Sequence, residues 1–184
     1  MLIIGITGTL GAGKGTIVEY LVKKHSLKHF SVRGYLTKLL TTAGCEVNRN
    51  SLVNKGNELR NEYGASYIAE EIYKIAEKSS DNCIIESLRT PAEVKSLKSK
   101  GKFTLFAIDA DPKVRYGRII SRASETDRIS FDEFIKNEKR EMESIDPTKQ
   151  NIAKCIKMAD YTFINNNSKN DLYEKVEKII TKIV

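Results

Sequence analysis

A glycine-rich segment from Gly8 to Thr16 carries the residue types of this sequence best suited to chemistry. It reads Gly-Thr-Leu-Gly-Ala-Gly-Lys-Gly-Thr and lies between a short apolar run and a stretch of helical periodicity. Glycines let the backbone turn tightly, so that successive N–H groups and the N-terminus of the following helix can face an anion. Lys14 adds a full positive charge. The segment therefore predicts a phosphate-binding loop.

Thr16 supplies a hydroxyl close to the expected phosphates and is the candidate magnesium ligand of this loop. The strict form of the motif has Ser or Thr directly after the lysine, whereas Gly15 stands there in this sequence. That departure weakens the assignment of Thr16 to the metal. The alternative for the whole segment is a glycine-rich turn that merely precedes a helix.

A second candidate group follows an apolar run in the middle of the chain. Ile84 and Ile85 are followed directly by Glu86, and Arg89 comes three residues later. In open parallel sheets ligands bind at the carboxyl ends of the strands, so both polar side chains should reach the ligand crevice. Glu86 would hold magnesium through water or orient an acceptor, and Arg89 would grip an acceptor phosphate. The alternative is that the two side chains simply pair with each other at a loop.

Arginines are concentrated in one stretch of the second half of the chain. Arg115, Arg118 and Arg122 follow i, i+3, i+7 spacing and so share one face of a helix. Arg128 lies in the loop after that helix. Such a cluster suits a short lid over about 115–130 whose cations stabilise a phosphoryl group in transfer. A charged helix surface is the alternative, and it is equally favoured for Arg115.

Two further arginines lie in the first half of the chain. Arg33 follows the second predicted strand, and Arg60 lies in a helical region. Both fall within about 33–80, an inserted helical region expected to fold over an acceptor substrate. An ordinary surface position explains either residue equally well.

Short apolar runs alternate with helical periodicity along the chain. The predicted strands are Leu2–Ile6, His29–Val32, Cys83–Ile85, Phe103–Ile108 and Tyr161–Ile164. Thr90 with Glu93, and Ser130 with Glu133, are spaced as capping boxes that open helices. This alternation predicts an α/β fold of three layers, a five-stranded parallel sheet with helices on both faces.

Length and composition limit the class of protein. The 184 residues include 31 Lys plus Arg and 24 Asp plus Glu, a net charge of +7, and 40% are hydrophobic. This length predicts one domain over 1–184. No apolar run approaches the roughly 20 residues of a membrane span, and lysines spread along the chain disfavour a nucleic-acid partner. Three widely spaced cysteines without a CxxC pair predict a reducing, cytoplasmic location.

These motifs together resemble those of P-loop kinases over nearly the whole chain. The segments that carry the resemblance are Gly8–Thr16, Ile85–Val94, Ile108–Arg115, Phe131–Phe134, Glu138–Glu141 and Ala159–Asn165. The phosphate loop is similar to that of nucleoside monophosphate kinases, adenylate kinase among them. The chain also resembles archaeal dephospho-CoA-kinase-like proteins and, more distantly, deoxynucleoside monophosphate kinases.

The resemblance implies ATP and Mg²⁺ as cofactors, and transfer of the γ-phosphate to a nucleoside or deoxynucleoside monophosphate. It implies donor phosphates on Gly11, Ala12, Gly13, Lys14, Gly15 and Thr16, with the donor base near Asn165. It implies an acceptor phosphate near Arg33, Arg60 and Arg89, with Glu86 beside it or on the metal. The residues expected to carry the catalytic charges are Lys14, Arg89, Arg118, Arg122 and Arg128.

Two other functions stay open at this point. The first is dephospho-CoA kinase, which is weakened because the chain lacks the Asp-x-Pro-Leu-Leu type segment of the bacterial enzymes. Separately, Glu86 stands where relatives often have aspartate, which gives the side chain a longer reach and leaves its role open. The second function is a slow ATPase or nucleotide-dependent switch with a macromolecular partner. Arginines at both donor and acceptor positions disfavour the switch, since a switch needs no acceptor pocket. Monomer and homodimer are equally compatible with the sequence.

Overall fold

The computed structural model describes residues 1–122 and 129–183, so Arg128 lies outside the described residues. The strands are β1 (Ile3–Gly8), β2 (Lys28–Ser31), β3 (Cys83–Glu86), β4 (Phe103–Asp109) and β5 (Tyr161–Ile164). They form one sheet in the order β2-β3-β1-β4-β5, and each neighbouring pair is parallel. The predicted α/β fold with a five-stranded parallel sheet is confirmed.

Helices connect the strands. They are α1 (Lys14–His25), α2 (Val32–Thr42), α3 (Arg49–Tyr63), α4 (Tyr67–Glu77), α5 (Pro91–Lys98), α6 (Pro112–Arg122), α7 (Phe131–Met142), α8 (Ile152–Lys157) and α9 (Lys169–Ile183). Both predicted capping boxes are present, at Thr90 before α5 and at Ser130 before α7. None of the helices in the described ranges is long and apolar enough to cross a membrane.

The central strand contributes to hydrophobic clusters on both faces of the sheet. Ile4 and Ile6 belong to a cluster with residues of α1 and α9. Ile3 belongs to another cluster, with residues of α2, α4, α5 and α8. The strand is buried along its whole length, as expected of a parallel strand covered on both sides.

The bounds of β1, β2, β3 and β4 differ from the predicted ones by one or two residues, and one helix was not predicted. The second strand was predicted to run to Val32, but α2 begins at that residue because the Ser31 side chain caps it, accepting a hydrogen bond from the Gly34 backbone N–H at 3.2 Å. The sequence also did not predict α8, whose six residues bury Ile152 and Cys155.

The strand order brings three strand ends together at one edge of the sheet. β1 ends at Gly8, where the glycine-rich segment begins, and its neighbours β3 and β4 end at Glu86 and Asp109. Asn165 follows the end of β5 directly. In sheets of this kind, that edge is where ligands bind.

Candidate active site

The glycine-rich segment passes from the end of β1 to the N-terminus of α1. Gly13 has a φ of 102°, and a Cβ added there would lie 2.4 Å from Nδ2 of Asn165. Gly11 has a φ of 78°, and its added Cβ would lie 2.6 Å from the carbonyl oxygen of Arg115. Any other L residue would therefore be both strained and overlapping at these two positions.

Side chains from the ends of β4 and β5 hold the segment in this shape. Nδ2 of Asn165 donates a hydrogen bond to the carbonyl oxygen of Ala12 at 2.8 Å. The Thr9 hydroxyl donates to Oδ1 of Asp109 at 2.6 Å. Two neighbouring strands thus fix the backbone of the loop, which keeps its N–H groups in place for an anion.

Arg115 is buried against the glycine-rich loop rather than placed in a lid or on an exposed surface. Its side chain is only 3% exposed, and its Nη1 donates to the carbonyl oxygen of Leu10 at 3.3 Å. Its Nη2 donates to Glu138 at 2.7 Å, and its guanidinium lies over the ring of Phe134. This arginine therefore connects the loop to α7.

Lys14 is the central cation of the loop. Its Nζ donates to the carbonyl oxygens of Gly8 at 3.0 Å and Thr9 at 2.7 Å. Burial lowers the pKa of Lys14 from 10.5 to about 8, the positive charge of Arg89 acts in the same direction, and the Glu86 carboxylate opposes them. Because the protonated amine is the costly form here, a bound polyphosphate would stabilise it.

A cleft opens above this segment, and we call it the loop cleft. The predicted site residues that line it are Gly11, Gly13, Lys14, Gly15, Thr16, Arg33, Glu86, Arg89, Arg118, Arg122 and Asn165. They come from parts of the chain more than 150 residues apart, so the fold brings together most of the residues selected from the sequence. Ala12 is fully buried below the cleft.

Two arginines of α6 reach the loop cleft from one side. Arg118 donates through Nη1 to the carbonyl oxygen of Asn165 at 2.8 Å and through Nη2 to that of Asn167 at 3.4 Å. Arg122, the last residue of α6, also lines the cleft. These positions put both cations beside the phosphate loop.

Glu86 and Arg89 contact other residues rather than each other in the described part of the chain. Oε2 of Glu86 lies 3.1 Å from Nε2 of His29, whereas Arg89 pairs with Glu141. Burial acts to raise the pKa of Glu86, but the His29 hydrogen bond and the charge of Lys14 outweigh it, so the pKa is lowered. Glu86 therefore stays ionised at neutral pH.

A second pocket, which we call the arginine pocket, adjoins the loop cleft. It is lined by Leu10, Val32, Arg33, Leu36, Arg49, Leu52, Val53, Arg60, Arg89, Glu141 and Gln150. Leu10, Arg33 and Arg89 also line the loop cleft, so the two cavities meet at these residues. A group bound in one cavity would therefore lie next to a group bound in the other.

The arginines of this pocket have different surroundings. Arg60 is 1% exposed and donates to Oε1 of Glu93 through Nε at 3.0 Å and Nη2 at 2.8 Å. Its charge is therefore compensated within the protein. Arg89 is 25% exposed and stands at the border of the two cavities.

Two charged residues of the arginine pocket, Arg49 and Glu141, were not predicted from the sequence. Arg49 donates through Nη2 to Oε1 of Glu141 at 2.6 Å, although 92 residues separate the two. Glu141 falls in a segment that carries the family resemblance, but no role followed from it. No local pattern marks either residue, because their contact depends on the tertiary fold.

The residues that line the loop cleft fit a magnesium ion. In the described ranges, no group of three or more His, Cys, Asp or Glu side chains could hold a metal by itself. Mg²⁺, however, usually keeps several waters and takes one or two protein ligands together with substrate phosphates. Thr16 and Glu86 offer oxygen ligands that line the same cleft as Lys14.

Comparison with known proteins shows the family of the chain and several relatives. The profile of the AAA domain family AAA_18 matches residues 4–146, from β1 to the loop after α7. The chain belongs to this AAA domain family. A UPF0200 protein from Methanocaldococcus jannaschii is 29% identical over 187 residues, spanning 100% of this chain and 91% of that protein. A UPF0200 protein from Sulfurisphaera tokodaii is 26% identical, spanning 99% and 97%.

Solved structures share the fold over its full length. TT1252 from Thermus thermophilus has a TM-score of 0.64 at 15% identity and covers 100% of this chain and 98% of its own. Shikimate kinase from Bacteroides thetaiotaomicron has a TM-score of 0.60 at 14% identity, covering 98% of each chain. Shikimate kinase from Aquifex aeolicus has a TM-score of 0.55 at 14% identity, covering 98% and 97%. The expected P-loop kinase fold is confirmed.

Proposed function

We propose that this protein is an ATP- and Mg²⁺-dependent phosphotransferase that moves the γ-phosphate to a nucleoside or deoxynucleoside monophosphate. The contact between the loop cleft and the arginine pocket at Leu10, Arg33 and Arg89 carries this proposal. Phosphoryl transfer requires donor and acceptor to be held close together and in line. Two adjoining cavities with arginines at their border would hold the two groups close together.

On the donor side, Lys14 and the N–H groups of residues 11–16 bind the phosphates of ATP. Thr16 and Glu86 would hold Mg²⁺, which neutralises charge on the donor phosphates. Arg118 and Arg122 line the cleft and offset the charge of the group in transfer, and Arg128 is proposed to join them. The donor base lies near Asn165, and no covalent intermediate is needed.

On the acceptor side, Arg33 and Arg89 bind the phosphate of the incoming monophosphate at the border of the two cavities. Arg60 also lines the arginine pocket, but its pairing with Glu93 assigns it to the pocket wall. The proposed partner is thus a small nucleotide, in a cytoplasmic protein that acts as a monomer or a homodimer.

Dephospho-CoA is the alternative acceptor, since it too would present a polar group to the same border. A slow ATPase or nucleotide-dependent switch is disfavoured by the arginine pocket, because hydrolysis needs no second cavity beside the donor phosphates. Measurement of acceptor-dependent turnover separates these functions.

The test is a coupled ADP-release assay with ATP and Mg²⁺ over all ribo- and deoxynucleoside monophosphates and dephospho-CoA. We expect one acceptor, or a small group, to raise turnover well above the rate without acceptor. Lys14→Ala should lose this turnover, whereas Lys23→Ala, an exposed lysine of the same helix, should keep it. ADP release that is slow with every acceptor and no faster than without one would contradict the kinase function. It would favour an ATPase or a nucleotide-dependent switch.

A further inference from the structure

Arg49, the first residue of α3, has no role in the function proposed above. Its side chain is 18% exposed and lines the arginine pocket. Its Nη2 donates to Glu141, but its Nε is buried and has no hydrogen-bond partner among residues 1–122 and 129–183. Buried donors without an acceptor are rare in folded proteins, because no hydrogen bond offsets the free energy lost when the donor leaves water. An anion in the pocket that reached this nitrogen, after a small shift of the side chain, would supply the acceptor that it lacks.

A single carboxylate holds Arg49 next to Arg89. Oε1 of Glu141 accepts from Nη2 of Arg49 at 2.6 Å, and Oε2 accepts from Nη1 of Arg89 at 2.8 Å. Glu141 is 5% exposed. Burial acts to raise its pKa, but the charges of Arg89 and Arg49 outweigh it and lower the pKa. The carboxylate therefore stays ionised and fixes both guanidinium groups.

The cluster of Arg49, Glu141 and Arg89 keeps a positive charge and N–H donors for a ligand. Two guanidinium groups share one carboxylate, so Arg49, Glu141 and Arg89 together carry an excess of one positive charge. In the described part of the chain, the side-chain hydrogen bonds of Arg89 use Nη1, which also donates to Gln150. Nε and Nη2 of Arg89 thus stay available for a ligand of the arginine pocket, which Arg49 also lines.

We infer that Arg49 binds the anionic group of the acceptor together with Arg89, and that Glu141 is the positioning residue that holds the two arginines in place. This inference rests on the function proposed above. It assigns the pocket to a phosphate monoester, whose oxygens can accept from several guanidinium N–H groups at once. The aliphatic lining residues Leu36, Leu52 and Val53 suit the less polar body of such an ester.

Arg49→Gln tests the binding role. We expect the KM of the acceptor found in the ADP-release assay to rise about ten-fold or more, with the KM of ATP changed less than two-fold. The matched control is Arg140→Gln, an exposed arginine of α7 that lines neither cavity, which should change neither constant. An unchanged acceptor KM in folded Arg49→Gln protein would overturn the assignment of Arg49.

Glu141→Gln tests the positioning role, because it removes the charge and keeps the shape of the side chain. We expect the acceptor KM to rise while the KM of ATP does not. In the double variant, Arg49→Gln should add little to the effect of Glu141→Gln, since a residue that acts through another is not additive with it. Fully additive effects on the acceptor KM would show that Glu141 does not act through Arg49.

A binding experiment separates this inference from the proposed function. If no acceptor in the assay is phosphorylated, inorganic phosphate is titrated by calorimetry into wild-type and Arg49→Gln protein, each already saturated with a non-hydrolysable ATP analogue and Mg²⁺. Phosphate binding that is lost in Arg49→Gln alone would support an anion site at Arg49 in a protein that is not this kinase. Equal binding by both proteins, or none by the wild type, would overturn it.

Discussion

Arg60 and Arg89 carry the same guanidinium group but have opposite surroundings. Arg60 is buried and forms two hydrogen bonds with Glu93, whereas Arg89 stands at the border of two cavities. Burying a charge is costly unless a partner compensates it. The first arginine is therefore expected to act on stability and the second on ligand binding.

Arg60→Met should destabilise the protein by about 3–5 kcal/mol, because it leaves the buried Glu93 carboxylate without a counter-charge. Urea denaturation followed by circular dichroism measures this loss. The double variant Arg60→Met/Glu93→Gln should recover part of it, although Glu93 also accepts from the backbone N–H groups of Arg89 and Thr90. If Arg60→Met kept full stability and raised the acceptor KM instead, Arg60 would be a binding residue.

Single residues could be selected from the sequence where a local signal marks them. Lys14 lies in a glycine-rich motif, and Glu86 ends an apolar run. Arg49 and Glu141 carry no such signal, since only the tertiary fold brings these distant residues within 2.6 Å. Long-range ion pairs of this kind cannot be read from spacing along the chain.

At the level of elements, the N-terminus of α1 contains two glycines with different requirements. Gly13 caps the helix in a left-handed conformation and lies against Asn165, whereas Gly15 is inside the helix with nothing within 4 Å of an added Cβ. Glycine is required at position 13 because the backbone there has a positive φ. The second glycine faces the loop cleft and has room for a side chain.

Gly13→Ala should destabilise the protein by more than about 1 kcal/mol, because alanine is strained at positive φ and its Cβ would displace the Asn165 amide. Gly15→Ala, the matched control in the first turn of α1, should not destabilise the protein, because an added Cβ meets nothing within 4 Å and alanine favours a helix. Thermal denaturation without nucleotide measures both. Equal melting temperatures for the two variants would contradict this account of the loop.

The elements themselves were largely predictable. Every strand except β2, which reads Lys-His-Phe-Ser, is a short and mainly apolar run. The starts of α5 and α7 carry capping boxes at Thr90 and Ser130. The exceptions have physical reasons. α8 is too short for its periodicity to stand out, and Ser31 caps α2 immediately after β2, so no loop separates strand from helix.

At the scale of the whole molecule, the first and last helices pack together. Glu177 of α9 accepts a hydrogen bond from the Tyr20 hydroxyl at 2.6 Å and pairs with Lys24 and His25 of α1, each at 3.0 Å. The rings of Tyr20 and Tyr173 stack with their centroids 4.4 Å apart. These contacts join the two ends of the described chain.

This junction should make stability depend on pH. Hydrogen bonds from Tyr20 and then His25 lower the pKa of Glu177 from 4.5 to about 2. The folded state therefore binds this proton less readily than the unfolded state. The stabilisation by ionised Glu177 is complete at pH values above the ordinary pKa of 4.5, and it is lost as the pH falls from about 4.5 towards 2.

Glu177→Gln should lower the melting temperature by about 2–4 °C at pH 7, as expected for a loss of about 1 kcal/mol in a protein of this size. The difference from wild type should shrink below pH 4.5. Glu174→Gln, an exposed position on the same helix, should show no such pH-dependent difference. A difference for Glu177→Gln that is equally large at pH 7 and pH 3.5 would contradict this account.

The strand order also has a consequence for synthesis on the ribosome. β1 is made first but lies at the centre of the sheet, and its partners β3 and β4 begin at Cys83 and Phe103. At 5–20 residues per second, the apolar β1 has no partner strand for roughly 4–15 s after it is made. Chaperones that bind nascent chains should therefore bind this protein at β1, which leads into the glycine-rich loop, before that loop can bind a nucleotide.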